Sequence, residues 1–195
     1  MTINKTLINF ILMTTPLLII NTAHAHTSGE SSGWMHPLSG LDHLLAMVSV
    51  GAWSSQIGGK AIWIVPSAFV CFMFLGGVVG FEHIELPLTE TGVSLSVVLL
   101  GFAIFVRQKL PVFIAAAASA LFGVFHGYAH GYEMPLMQNK AIYTLGFLCT
   151  TALLHVTGAV AAHLMLKKNW GDKTLRLLGL ISGTCGIYLL AGTVN

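Results

Sequence analysis

Apolar residues run through this chain in long, nearly unbroken stretches, without the alternating or one-faced patterns of a soluble core. Six such stretches follow the first 25 residues, at 37–54, 61–81, 88–106, 110–131, 141–166 and 175–194. Each is close to the ~20 residues that carry a helix across ~30 Å of hydrocarbon, although the first is short. The separators are polar or hold Pro and Gly, which punctuate helices. The pattern predicts an all-α polytopic membrane bundle of six transmembrane helices.

The opening residues have a different character. Lys5 gives a modest positive start, residues 7–20 an apolar run, and Ala23-His24-Ala25 a small-residue cleavage site. Together these are the parts of a secretory signal peptide. A retained first transmembrane helix is the rival, but Pro16 and the short apolar run favour cleavage after Ala25. The chain divides accordingly into a signal peptide, 1–25, and a six-helix membrane domain, 26–195.

Composition agrees. Hydrophobic residues make up 55% and charged residues 8%, against ~25% charged in a soluble domain. The lipid bilayer is therefore the first partner, and a net charge of +2 gives no reason to expect nucleic acid. The few charges are sorted along the chain. With the mature N-terminus outside, the inner connections hold Lys60, Arg107, Lys109, Lys167, Lys168, Lys173 and Arg176, whereas the outer ones hold Lys140. That bias follows the positive-inside rule and sets both termini outside. Segments 1–3 and 4–6 then have opposite topology, as in a 3+3 inverted repeat. Cys71, Cys149 and Cys185 sit singly in apolar runs without paired spacing and read as small buried hydrophobes. Gly76 and Gly80 form a GxxxG, and 115–120 is a run of Ala and Ser, both suited to close helix packing.

Two clusters carry chemistry. The first, His36-Pro-Leu-Ser-Gly-Leu-Asp42-His43, opens the first stretch; the second, Phe125-His126-Gly-Tyr-Ala-His130-Gly-Tyr-Glu133, closes the fourth. Ionisable residues within a bilayer cost about 2.5–3.5 kcal/mol each on insertion scales and mark functional paths. His126, His130 and Glu133 stand at i, i+4 and i+7, one face of a helix. Imidazoles suit nickel, cobalt, copper and zinc, and a carboxylate offsets the ion's charge. In one straight helix His43 would lie ~10 Å deeper than His36, so the two would be successive sites unless His36 folds back. The topology puts both clusters in the outer half of the membrane, where they can meet. His155, midway along the fifth stretch, is either an interhelical hydrogen-bond former or a ligand from a third helix. Met47 could offer a thioether, but core packing is the preferred reading.

The paired motifs HPLSGLDH and FHGYAHGYE resemble the two signatures of the HupE/UreJ family of nickel/cobalt permeases, and the likeness extends over the signal peptide, the six-segment layout and LLHVTG around His155. The resemblance implies a secondary permease of the bacterial inner membrane, with both termini periplasmic. Its transported substrate would be Ni2+ or Co2+, supplied to metalloenzymes such as hydrogenase or urease, with no organic cofactor and no enzymatic activity. It carries over His36, Asp42, His43, His126, His130 and Glu133 as metal-binding residues. An intramembrane zinc-dependent metalloenzyme, built on the His126-x3-His130 pair and an acid, is the alternative.

Cleavage after Ala25 would leave His26 with a free α-amine beside its imidazole, two nitrogens able to capture one ion. N-terminal sequencing of the mature protein should therefore begin at His26. Retention of Met1 would restore the extra transmembrane helix and remove the capture role.

Overall fold

The computed structural model describes residues 33–193; the expected signal peptide and His26 lie outside them. The described residues form seven helices and no strand: α1 (His36–Ser39), α2 (Leu41–Ile57), α3 (Ala61–Phe81), α4 (Thr89–Phe105), α5 (Val112–Tyr132), α6 (Lys140–Leu166) and α7 (Gly171–Gly192). Among these, α3, α5, α6 and α7 are long and apolar enough to cross a membrane, and α4 is a shorter apolar helix. Their outward surfaces carry Phe72, Phe74, Leu121, Leu153, Val160 and Ile181 in the open. Such a belt is unstable against water and suited to lipid, and the helices satisfy their own backbone groups as a membrane interior requires.

Two segments depart from the pattern read in the sequence. The first stretch is not one helix. Gly40 adopts an extended conformation (φ −91°, ψ 123°) and separates the single turn of α1 from α2. The last helix begins earlier than residue 175 because the polar residues of its first turns have partners. Arg107 Nε lies 3.3 Å from Asp172 Oδ1, and Arg176 Nε donates to the Phe105 carbonyl at 2.8 Å. An acid in the first turn also complements the helix dipole. The start of α6 is fixed by Asn139, whose side chain accepts from the Ala141 and Ile142 amides.

Helices approach closely wherever glycine removes the side chain. Along α5, Gly123, Gly127 and Gly131 rest on the backbones of Phe69, Met73 and Gly77 of α3, while Gly76 and Gly80 of α3 rest on Val124 and Tyr128. The expected GxxxG is thus one side of a reciprocal seam. A similar contact joins α2 to α6, with Gly51 against the His155 carbonyl and Gly158 against that of Val48. Gly101 of α4 meets Gly179 and Gly183 of α7. Without a hydrophobic drive between helices in lipid, such backbone-to-backbone packing is what holds them.

The end of α4 is tied down from two sides. Its last carbonyls run past the regular helical ladder, and that of Ile104 accepts from the Arg107 amide at 3.1 Å. Those of Ile104 and Phe105 accept from Gln56 Nε2 (3.2 Å) and Arg176 Nε, and the Gln108 carbonyl just beyond accepts from Trp53 Nε1 (2.9 Å). The cysteines correct the sequence reading. Cys71 and Cys149 lie on the exposed surface and Cys185 is half-buried.

Gly127→Leu should destroy the α3–α5 seam, since its Cβ would run into the Met73 carbonyl. Overpacking of this kind costs ~1–3 kcal/mol even where side chains can yield, and backbone cannot. Gly192→Ala, with open space around its Cβ, should be neutral. Thermal unfolding in detergent and membrane abundance would compare the two.

Candidate metal centre

The extended Gly40 turns the chain between His36, the first residue of α1, and Asp42 and His43 in the first turn of α2. This corner brings the His36 and His43 rings to 6.4 Å between centroids, closer than a straight helix would allow. Across from them, α5 presents His126 and His130 from positions one residue before Gly127 and Gly131. The glycines face α3, so the adjoining histidine stripe is turned toward α2. The result is one group of rings. His130 lies 4.7 Å from His36 and 4.6 Å from His43, and His126 lies 4.8 Å from His43. His126 and His130 are fully buried.

Glu133 stands just past the end of α5, where it caps the helix. Its carboxylate reaches His36 Nε2 at 3.0 Å. Both sequence motifs therefore meet, through the four rings and through this pair.

Hydrogen bonds fix which nitrogens carry protons. Asp42 Oδ1 accepts from the His43 amide at 2.7 Å and lies 2.8 Å from His43 Nδ1, so the proton sits on Nδ1 and faces the carboxylate. His126 Nε2 lies 2.9 Å from Ser96 Oγ, whose own hydrogen goes to the Val93 carbonyl. A hydroxyl has one proton to give, so His126 Nε2 is the donor and Nδ1 holds the lone pair. His130 stacks on Phe147 at 5.1 Å, and neither of its nitrogens has a protein partner. His43 Nε2 and His126 Nδ1 are likewise buried and unpaired. A buried unpaired polar group costs ~1–3 kcal/mol, and few survive in native interiors. Each of these three rings thus keeps one buried lone pair with no protein donor to meet it.

The rings pack edge to face, at interplanar angles of 68–80° for the pairs that link α5 to the α1–α2 corner. Their lone pairs do not yet share a focus. Among the described residues no group of three or more His, Cys, Asp or Glu side chains is already converged as a metal cage. Ring rotations would be needed for several to hold one ion.

A cleft of about 470 Å³ opens beside the group, lined by Glu85, Glu90, Tyr128, Tyr132 and Glu133 among others. Glu133 belongs both to the cleft wall and to the His36 pair, which makes it the link between them. On the other side of the group, Phe69 meets His126 at 5.3 Å and His155 at 5.0 Å. His155 is therefore not in the ring cluster; its Nδ1 lies 2.8 Å from the Met47 carbonyl.

Sequence reasoning missed Ser96, Phe69 and Phe147. Ser96 could have been noticed as a small polar residue within an apolar helix, but its pairing with His126 is a contact between helices. Phe69 and Phe147 carried no signal among so many apolar neighbours.

The fold and the site define a multi-pass membrane protein whose interior is rich in buried imidazole. The profile of the HupE / UreJ protein family matches residues 10–189, and the chain belongs to that family. It is 45% identical to Protein HupE of Rhizobium leguminosarum bv. viciae over 180 residues, covering 90% of this chain and 94% of that one. No solved structure matches the chain.

The His36–Glu133 pair is half exposed on its carboxylate side, and such pairs contribute only ~0–1 kcal/mol. Glu133→Gln should leave thermal stability in detergent close to that of the native chain. A large fall in unfolding temperature would mean that the pair holds the α1–α2 corner in place.

Proposed function

We propose that this protein is a secondary permease that takes up nickel or cobalt across the bacterial inner membrane and supplies a metalloenzyme such as hydrogenase or urease. The observation that carries the reading is the meeting of four histidine rings from two distant motifs, flanked by Asp42 and Glu133, within a membrane bundle. The family is one of transporters, which favours transport over the zinc-enzyme alternative.

In this reading all six helices α2–α7 cross the membrane, after removal of the signal peptide. The basic residues support the orientation. Lys60, Arg107, Lys109, Lys167 and Lys168 lie in or beside the connections α2–α3, α4–α5 and α6–α7, and Lys173 and Arg176 in the first turns of α7. The opposite connections hold Glu82, Glu85, Glu133 and Lys140, which favours periplasmic termini. The glycine seams support a 3+3 inverted repeat. Exchanging α2 with α5, α3 with α6 and α4 with α7 converts the α3–α5 seam into the α6–α2 seam and returns α4–α7 to itself.

The geometry supports one course for the ion. Glu85 and Glu90 draw a divalent cation into the cleft, and Glu133 passes it to His36. His130, His43 and His126 then offer lone pairs in turn, each step exchanging one nitrogen for the next. Borderline nitrogen donors bind late first-row ions well, while the edge-to-face packing keeps any one site from closing tightly. Asp42 keeps His43 in the correct tautomer and supplies negative charge where dielectric screening is weak.

Asp42→Asn preserves size and the hydrogen-bond acceptor but removes the charge. It should cut uptake of radioactive nickel or cobalt by ~10-fold or more, and His130→Ala should do the same. Both variants should be present in the membrane at native abundance. Native uptake rates in both would sink the proposed path.

A further inference from the structure

A fifth imidazole stands apart from the four. His155 lies midway along α6, 2% exposed, where Gly51 of α2 rests on its carbonyl. Its ring is level with Met47, one turn or ~6 Å along α2 beyond His43. It is thus deeper in the bundle than the ring cluster, measured from the His36 end.

Its proton is placed without ambiguity. A carbonyl oxygen only accepts, so the 2.8 Å contact with the Met47 carbonyl puts the hydrogen on Nδ1. The lone pair is then on Nε2, which is buried and has no protein partner. A ring serving only to join α2 and α6 would need one polar nitrogen and would gain nothing from a second left unpaired. Fixing Nδ1–H on a backbone carbonyl and presenting Nε2 is how imidazoles are oriented for a metal. A soft donor stands close by. Thr151, one turn earlier on α6, donates to the Met47 thioether at 3.3 Å, which locates that sulfur beside the same face of α6.

Phe69 is the partition. Its fully buried ring touches His126 on one hand and His155 on the other. An ion leaving the outer rings would meet this apolar surface before reaching the next lone pair.

We infer that His155 forms a second, inner station for the same late first-row divalent ion, with the Met47 thioether as its neighbouring donor and the Phe69 ring between it and the outer group. The inference rests on the transport reading, and it divides the path into two binding steps. His155→Leu removes the nitrogen altogether. His155→Gln keeps an N–H for the Met47 carbonyl and so restores a purely structural role, but it lacks the imidazole lone pair.

The test uses the full chain, purified in detergent, and Co2+ in equilibrium dialysis, together with cobalt uptake in cells at matched membrane abundance. The native chain should bind two equivalents, and both His155 variants one. Uptake by both variants should fall by ~10-fold or more. One equivalent in the native chain, or native uptake by His155→Gln, would overturn the inner station. The dialysis stoichiometry reads the station independently of uptake. If the native chain binds two equivalents and His155→Gln one, yet native cells accumulate no cobalt, the station stands as a binding site and the transport reading falls. If native cells accumulate cobalt and His155→Gln matches them in both uptake and stoichiometry, transport stands and the station falls.

Discussion

Backbone contact between α3 and α5 sets the position of everything else in the interior. Gly123, Gly127 and Gly131 let α3 lie directly on α5, and that contact permits only one rotation of α5 about its axis. The rotation turns the neighbouring stripe, His126 and His130, toward α2. It also brings Phe69 and Met73 of α3 against the same helix, so the apolar partition and the ring cluster share one constraint. In lipid, where apolar surface gains little by contact, such a seam must be close-packed to hold at all. Close packing is also what makes it selective about rotation.

Orientation of the rings is a second layer imposed on that scaffold. Asp42, Ser96 and the Met47 carbonyl each engage one nitrogen of His43, His126 and His155. Three chemically different partners do the same work, which is to commit the proton and leave the other nitrogen basic. His130 has no such partner and stacks on Phe147 instead. Its tautomer is free, which suits a ring that meets both His36 and His43. The orphaned nitrogens make the interior less stable than an apolar one would be. In the proposed permease that cost has a use, since a fully satisfied network would offer an ion nothing.

The carboxylates divide by position. Glu133 is half exposed and joins the cleft to His36, while Asp42 is largely enclosed and held by His43. The former works where water still screens charge, and the latter where it does not. Both carboxylates engage a ring of the α1–α2 corner, one toward the cleft and one within the bundle.

The helices and the two motifs were legible in the residues alone. Apolar stretches located α3 to the residue and α4–α6 to within two, because lipid demands continuous helices of fixed length. The spacing of His126, His130 and Glu133 showed a common face, and residue type alone singled out Asp42 and His36. What the residues could not supply was any relation between helices. The Gly40 corner, which turns two successive positions into neighbours, depends on one backbone conformation that glycine permits but does not demand. The pairings of Ser96 with His126, of Glu133 with His36 and of Phe69 with His126 and His155 are contacts across helices. Local periodicity records which face of a helix is special. Only the packing of one helix against another decides what that face will meet.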